Sequence, residues 1–283
     1  MLGLLRWLSA WPLWLLHALG SALGWLTYAL SPSYRRRLRA NAALAGVSAA
    51  DRRASVGEAG RLVAELPRLW LRPADRPIAD AVHWEGRETL QALLDRGKGL
   101  VLLTPHLGSF EVSAQAYAQA FGDRQPITVL YRPARKRWLR ELEETARARP
   151  ALATAPATLA GVRQMLRALK RGETVGLLPD QVPPEGMGVW VPFFGQPAYT
   201  MTLAARLVQQ TGAAVGLLWT ERLPHGRGYV VHADALPEPL PDASTAGGGD
   251  EASAQVINRA MEAVIRRCPR QYLWGYHRYK QPR

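Results

Sequence analysis

The stretch 101-VLLTPHLGSFEV-112 contains the side chains best suited to chemistry: a histidine, His106, and a carboxylate, Glu111. Pro105 ends the apolar run before them, so we expect His106 at the carboxyl edge of a buried strand, where open α/β sheets bind their ligands. In that place the imidazole can take a proton from a hydroxyl while the carboxylate holds the other ring N–H. The spacing alone leaves open a helix-capping loop that contains a chance histidine.

The separation of His106 and Glu111 requires a bend in the chain. Residues five apart in one helix point about 140° away from each other. We therefore expect Ser109 to cap a helix that begins there, with Glu111 in its first turn. The positive end of the helix favours the ionised carboxylate.

A second apolar run ends at 178-LPDQ-181 and presents Asp180 and Gln181. The segment that follows is too apolar for an exposed loop. Its aromatic residues are candidates for a groove that binds a hydrocarbon chain. They are Trp190, Phe193 and Phe194. The alternative is that these rings pack under the sheet.

A basic block, 130-LYRPARKRWLRELEETARAR-149, follows another apolar run. Arginine clusters at a sheet edge bind phosphorylated or carrier-bound substrates. Arg132, Arg147 and Arg149 are therefore candidate substrate-binding residues. A solvated basic helix is the alternative, and it accounts for residues 135–137 better than for Arg147.

Short apolar runs alternate with helical segments along most of the chain, which predicts an α/β fold: a mixed, mostly parallel sheet flanked by helices. The predicted strands cover residues 99–105, 127–131, 174–179, 213–219 and 228–233. The predicted helices cover residues 35–46, 51–71, 88–97, 109–121, 136–148, 158–170, 201–211 and 252–267. With no linker long enough to split this part, we expect residues 31–283 to form a single domain.

Residues 1–30 are expected to form a separate, membrane-anchoring helix. Between Leu2 and Leu30 the only formal charge is Arg6, and a helix of this length is about 43 Å long, enough to cross a bilayer core. Its tryptophans share one face, which suits the membrane interface. They are Trp7, Trp11, Trp14 and Trp25. Pro12 would kink or shorten the helix, so lying in the interface competes with spanning. The basic stretch 34-YRRRLR-39 is expected to remain cytoplasmic.

The composition favours an anionic partner. The chain has 36 Lys and Arg against 23 Asp and Glu, a net charge of +13, which suits nucleic acid, anionic lipid or an acidic carrier protein. A disulfide scaffold is excluded because Cys268 is the single cysteine. The histidines are scattered, so we predict no metal site.

Several of these segments together resemble the late acyltransferases of lipid A assembly, the lauroyl/myristoyl transferase family within the lysophospholipid acyltransferase superfamily. The segments are, in chain order, PHLGSFE, YRP, LPDQ, GVWVPFFGQPAYT, GRGY and QYLWGYHRYK. The resemblance extends over essentially the whole chain, including the apolar amino terminus. Several motifs in the expected order are far more specific than any one of them.

The resemblance implies transfer of a fatty acyl group from an acyl carrier protein thioester to a hydroxyl of a lipid A precursor. The reaction would take place at the cytoplasmic face of the inner membrane, without metal or nucleotide cofactor and without a nucleic-acid partner. An acyltransferase that acts on another glycolipid or a lysophospholipid is the nearest alternative. A basic, membrane-bound nucleic-acid-binding protein is the alternative from another class.

The resemblance also implies roles for particular residues. The family's H-x4-(D/E) motif corresponds to His106 and Glu111, which the resemblance implies are the catalytic pair. Its arginine after the YRP block corresponds to Arg147 and its P-D aspartate to Asp180, and both are implied in catalysis or substrate binding. This chain departs from the family in one place, because 134-ARKR-137 replaces the N-P that usually follows YRP. If that change moves the loop, Arg149 takes the place of Arg147.

Overall fold

The computed structural model of this chain describes residues 2–73, 76–78, 81–134, 136, 149–241 and 249–282. The strands in these residues are β1 (Val82–Glu85), β2 (Leu100–Leu103), β3 (Ile127–Tyr131), β4 (Leu152–Pro156), β5 (Thr174–Leu177), β6 (Gly188–Phe193), β7 (Gln196–Met201), β8 (Ala214–Arg222) and β9 (Tyr229–Ala235). The helices are α1 (Leu2–Ser9), α2 (Leu13–Leu30), α3 (Pro32–Leu44), α4 (Ala49–Leu71), α5 (Arg87–Leu94), α6 (Phe110–Phe121), α7 (Leu159–Lys170), α8 (Leu203–Thr211) and α9 (Asp250–Arg267). The helix predicted over 136–148 lies outside the described residues.

Seven of the strands in the described residues form one sheet in the order β1-β9-β8-β2-β5-β3-β4. The neighbours are parallel except for β8 and β9, which are antiparallel. Every residue of β2 and β5 is buried, as expected for parallel strands covered on both faces. The predicted mixed, mostly parallel sheet flanked by helices is confirmed.

The two faces of the sheet carry separate cores. Along β2, Val101 and Leu103 pack into the core that includes residues of α7, α8 and α9. Leu100 and Leu102 pack into the core that includes residues of α5 and α6. This alternation follows from the two-residue period of a strand, and it places α6, the helix that follows His106, on one face of the sheet.

The amino-terminal helix is interrupted at Pro12, as its sequence predicts. Pro12 precedes α2 with φ −63° and ψ 145°, and it has no N–H to continue the preceding helix. Helix α2 packs closely against α4, since a Cβ atom on Gly60 would lie 1.9 Å from the carbonyl oxygen of Gly20. At a second contact, a Cβ atom on Gly24 would lie 2.3 Å from the carbonyl oxygen of Val56.

Among the described residues, Leu13–Leu30 is the helix that is long and apolar enough to cross a membrane, judged by length and composition alone. Its packed face buries Leu16 and His17. Of the four tryptophans predicted on one face, Trp7, Trp14 and Trp25 are exposed, whereas Trp11 is half-buried.

The sequence-based prediction missed β1, β4 and the hairpin of β6 and β7. The hairpin pairs Gly188 with Met201 and Phe193 with Gln196, and it turns through Phe194 and Gly195 at φ 47° and 77°. Positive φ at both central residues is the requirement of a type I′ turn. Prolines within both hairpin strands hide the strand pattern, because proline is rare in sheet interiors.

Candidate active site

Two neighbouring strands bring the candidate catalytic side chains together. Strands β2 and β5 are parallel and paired from Leu100 with Thr174 to Leu103 with Leu177. The backbone N–H of Thr104 donates to the Leu177 carbonyl at 3.0 Å and extends this pairing by one residue. The chain therefore leaves both strands at the same edge, and His106 meets Asp180 there.

His106 and Asp180 are joined by two hydrogen bonds. His106 Nδ1 lies 2.7 Å from Asp180 Oδ1, and the backbone N–H of His106 donates to Oδ2 at 2.9 Å. The Tyr272 hydroxyl also donates to this carboxylate. Asp180 is 1% exposed, so its contacts are with protein groups. Its two hydrogen bonds with His106 fix the plane of the imidazole.

Asp180 remains ionised despite its burial. Burial by itself raises the pKa of this carboxyl, but the attraction of His106 and the hydrogen bonds from His106 and Tyr272 outweigh it and lower the pKa. An ionised carboxylate can only accept, so the imidazole proton lies on Nδ1. The Gln181 side-chain nitrogen lies 2.9 Å from His106 Nε2 and donates to it, which leaves Nε2 as the basic atom of the ring.

Glu111 does not have the place that its spacing predicts. Both ring nitrogens of His106 are bonded to other residues, Asp180 and Gln181, and Glu111 Oε2 accepts from Trp70 Nε1 at 3.2 Å. The prediction that Glu111 holds the second ring nitrogen is therefore wrong in this structure. The reason is the strand order, which places the aspartate after β5 beside the histidine after β2, while Glu111 turns with the first residues of α6 toward the cavity wall.

Ser109 stands at the N-cap position of α6 with Glu111 in the first turn, as predicted, but its side chain does not cap the helix. No residue of α6 donates to its side chain. Its hydroxyl instead donates to Glu65 Oε1 at 2.6 Å, and its backbone N–H donates to the Thr220 carbonyl at 2.8 Å. Ser109 thus ties the loop that carries His106 to α4 and to β8.

Gly108 allows this loop to lie directly against β8. Its φ is +59°, and a Cβ atom there would lie 1.9 Å from the Thr220 carbonyl oxygen. Its N–H donates to the Gln271 carbonyl at 3.0 Å, and the Leu273 N–H donates to the His106 carbonyl at 3.2 Å. Backbone contacts on both sides therefore hold residues 106–109.

A buried charge cluster lies behind the loop and joins it to α2, α4, β8 and β9. Arg222, at the end of β8, donates through Nε and one terminal nitrogen to Glu65 at 2.9 Å, and through the other terminal nitrogen to Glu58 at 2.8 Å. Glu65 also interacts with His17 at 3.0 Å and accepts from the Tyr229 hydroxyl at 3.1 Å. Arg222 reaches the loop itself by donating to the Gly108 carbonyl at 3.2 Å.

Sequence reasoning missed this cluster, although one signal was present. Glu65 stands three positions after Leu62 and four before Leu69, and therefore on the apolar face of α4. A charged residue on an apolar face indicates a buried partner. Which residue is the partner follows only from the tertiary structure.

An apolar cavity of about 390 Å³ opens beside His106. Its wall includes residues of α6, β3 and α7, the loop after β5, and the region where β7 leads into α8. Most of its lining side chains are apolar. Polar members include His106, Glu111, Gln115, Arg132 and Gln181. A cavity of this kind suits a hydrocarbon chain with a few polar contacts at one end.

The aromatic residues predicted to form the hydrocarbon groove do not line this cavity. Phe193 and Phe194 are buried in the core that includes residues of α9, and Arg278 and Arg266 lie over their rings. Trp190 is 42% exposed on the hairpin. The alternative stated above, packing under the sheet, is correct for the two phenylalanines because the hairpin turns their side chains toward α9.

The three candidate arginines differ in position. Arg132 is exposed at the mouth of the cavity. Arg149 donates to the carbonyls of Leu69, Trp70 and Arg72, so it binds the carboxyl end of α4, as basic side chains often do. Its substrate-binding role stays a prediction. Arg147 lies outside the described residues.

Within the described part of the chain, no group of three or more histidine, cysteine, aspartate or glutamate side chains is arranged to hold a metal ion. The thiol of Cys268 is buried, and burial raises its pKa to about 12.

A base held by a buried carboxylate, next to an apolar cavity, is what the activation of a hydroxyl beside a fatty acyl chain requires. The fold is that of an α/β protein with a polar site at the carboxyl edge of its sheet. Residues 1–281 match the model of the family described as bacterial lipid A biosynthesis acyltransferase, so the chain belongs to this family.

Three relatives agree with this assignment. The lipid A biosynthesis lauroyltransferase of Escherichia coli K12 is 27% identical over 98% of this chain and 91% of its own length. The palmitoleoyltransferase of lipid A biosynthesis from the same organism is 25% identical over 78% of this chain and 68% of its own length. A lipid A biosynthesis acyltransferase of Shigella flexneri matches with the same identity and coverage.

Proposed function

We propose that this protein transfers a fatty acyl group from an acyl carrier protein thioester to a hydroxyl of a lipid A precursor, with His106 as general base. The observation that carries the proposal is the His106–Asp180 pair, which leaves Nε2 as the basic atom beside the apolar cavity. The family of the chain supplies the acyl-transfer chemistry and the lipid A pathway.

In the proposed reaction, Nε2 of His106 removes the proton of the acceptor hydroxyl as its oxygen attacks the thioester carbonyl. A new ester C–O bond forms and the C–S bond breaks. The proton then passes from the imidazolium to the departing thiolate. A hydroxyl has a pKa far above 7 and needs a base during attack, and histidine titrates in the right range.

Asp180 keeps the Nδ1 proton in place and stabilises the imidazolium that forms during the reaction. Gln181 donates to Nε2 in the structure, and we propose that the acceptor hydroxyl takes its place. Glu111 faces the same cavity and is proposed to contact the reacting groups without touching the imidazole. For the negative charge that develops on the thioester oxygen, Arg147 or the backbone N–H groups at the start of α6 are the candidates, and this remains a prediction.

The charge of the protein supports the proposed substrates. A net charge of +13 attracts an acidic carrier protein and a phosphorylated lipid, and this attraction weakens with salt. Arg132, exposed at the cavity mouth, is suited to a phosphate of the acceptor or the carrier. No metal or nucleotide takes part in the proposed reaction.

We propose that the protein works at the cytoplasmic face of the inner membrane. The exposed tryptophans of α1 and α2 suit the headgroup region. The arginines of α3, Arg35, Arg36, Arg37 and Arg39, suit the anionic lipids of the cytoplasmic leaflet. Both observations support attachment through the amino-terminal helices.

The direct test is acyl transfer by the full-length protein in detergent micelles, with an acyl carrier protein thioester and a lipid A precursor. We expect His106→Ala to reduce the rate by roughly 10³-fold or more. His83→Ala, an exposed histidine on β1, is the matched control and should retain activity. Transfer by His106→Ala at the wild-type rate would refute the proposed mechanism.

Mass spectrometry of lipids from a deletion strain tests the acceptor. Lipid A that lacks one acyl chain supports the proposal. Altered phospholipid or another altered glycolipid, with lipid A unchanged, would mean that the acceptor is different.

A further inference from the structure

The wall of the apolar cavity contains an amide side chain without a partner. Gln115, on α6, is 3% exposed and lines the cavity. Neither its side-chain nitrogen nor its side-chain oxygen makes a hydrogen bond. Most buried polar side-chain atoms in proteins have a partner, so this amide requires an explanation.

The other buried amides of the described residues are paired. Gln271 donates to the Arg222 carbonyl and accepts from its N–H, both at 2.9 Å. Asn258 donates to the Pro192 carbonyl at 2.8 Å, and Gln125 donates to the Gly172 carbonyl. Gln115 differs from them in facing the cavity, which indicates that its partner is a bound molecule.

The position of Gln115 indicates which part of a substrate it meets. Glu111 and Gln115 are four residues apart on α6 and line the same cavity, so they lie on one helix face with a rise of about 6 Å between them. A chain whose reacting carbonyl lies near His106 and Glu111 therefore reaches Gln115 further along its hydrocarbon part. Ala114, Val129 and Leu152 line the cavity as well, and they offer an occupant no side-chain hydrogen bond.

The chemistry of the amide indicates the type of group. A primary amide has donor hydrogens and an acceptor oxygen, and a hydroxyl is the small group that satisfies both. A plain methylene satisfies neither, and a carbonyl satisfies only the donors. We propose that Gln115 is a specificity residue that binds a hydroxyl carried on the transferred acyl chain, so that the preferred donor is a hydroxylated fatty acyl group. This inference rests on the proposed acyl transfer.

The test compares dodecanoyl, 2-hydroxydodecanoyl and 3-hydroxydodecanoyl groups on acyl carrier protein, using full-length protein in detergent. We expect wild type to favour a hydroxylated donor in kcat/KM by at least roughly tenfold, because a plain chain leaves the buried amide unpaired. In Gln115→Met, which keeps a long unbranched side chain without the amide, the preference should disappear while dodecanoyl transfer persists.

Gln164→Met is the matched control. Gln164 lies on α7 and donates to the Thr154 carbonyl, and this variant should keep the wild-type preference. A wild type without preference, or a preference that survives in Gln115→Met, would overturn the inference. A higher KM for the acceptor lipid in Gln115→Met with an unchanged donor ratio would also overturn it, because the hydroxyl would then belong to the acceptor.

A binding measurement separates this inference from the proposed function. Displacement of a fluorescent fatty acid by free dodecanoic acid and its two hydroxy derivatives requires no turnover. Tighter binding of a hydroxy acid to wild type, lost in Gln115→Met, supports the role of Gln115 even if no lipid A precursor is acylated. Equal binding of the plain and hydroxylated acids refutes it even if acyl transfer is observed.

Discussion

Replacement of Glu65 by alanine should destabilise the protein strongly. The carboxylate accepts from both Arg222 Nε and a terminal nitrogen, and from Ser109 and Tyr229, and it is paired with His17. Without this carboxylate, Arg222 still has Glu58 as an acidic partner, but its Nε and one terminal nitrogen lose their acceptor. Ser109, Tyr229 and His17 lose their partner in the same buried site.

The size of the effect follows from the pKa of Glu65. Burial by itself would raise this pKa, but Arg222 and the hydrogen bond with His17 outweigh it, and the pKa falls from 4.5 to about 2. At about 1.36 kcal/mol for each pKa unit, the folded protein stabilises the ionised form by about 3 kcal/mol. Removal of one partner from a buried ion pair typically costs about 3–5 kcal/mol, so we expect a loss near 3–4 kcal/mol.

The assay is urea unfolding of the detergent-solubilised protein, monitored by tryptophan fluorescence. Glu238→Ala is the matched control, because Glu238 pairs with Arg259 on the surface, where both side chains are about half exposed. An exposed pair contributes about 0–1 kcal/mol. A loss in Glu65→Ala no larger than the loss in Glu238→Ala would refute the reasoning.

Activity gives a second measurement on the same variant. Ser109 is the last residue of the loop that carries His106, and in this variant it loses its contact with Glu65, so kcat should fall in protein that is still folded. An unchanged kcat at a temperature where the variant is folded would mean that backbone contacts alone position the loop.

Three further predictions concern the carboxylate that orients the catalytic base, the stability of the protein at low pH, and its attachment to the membrane. Asp180→Asn should lower kcat by roughly 10³–10⁴-fold with little change in KM, because the imidazole loses its orienting carboxylate. Asp123→Asn, a change at an exposed aspartate, is the control. A near-normal kcat in Asp180→Asn would contradict the orienting role of Asp180. The free energy of unfolding should fall as the pH drops from about 4.5 to about 2, since the pKa of Glu65 is lower in the folded than in the unfolded state. Urea unfolding curves recorded at several pH values test this. An equal fall in Glu65→Ala would assign the effect to other groups. Trp14→Ser should weaken binding to phosphatidylglycerol vesicles, measured by co-sedimentation, by roughly tenfold. Trp190→Ser, a change at an exposed tryptophan on the hairpin, is the control. Equal losses in the two variants would contradict attachment through the amino-terminal helices.

Elements with a strong local pattern were predicted well. Strand β3 was placed at 127–131, as observed, and α6 was predicted over 109–121 and observed over Phe110–Phe121. The elements that were missed lack such a pattern. Strand β4, with the sequence LATAP, is too poor in large apolar residues, and the hairpin strands contain prolines.

The candidate site was predicted in part. The strand-end position of His106 follows from Pro105, and the second strand end at Asp180 follows from the apolar run before it. Their hydrogen bond does not follow from either segment alone, because it depends on β5 lying next to β2. Spacing along the chain favoured Glu111 as the partner of the imidazole, and spacing carries no information about neighbouring strands.

The sequence by itself determined, within the described residues, helices α3 to α9 and five of the nine strands, together with the strand-end histidine, the apolar amino terminus and the family resemblance. All of these depend on local composition, on periodicity, or on motifs in a fixed order. Only the tertiary structure decided that Asp180 holds His106, that Glu65 and Arg222 support its loop, and that Gln115 faces the cavity. The physical reason is that these contacts join residues distant along the chain, and strand order and helix packing bring such residues within hydrogen-bond distance.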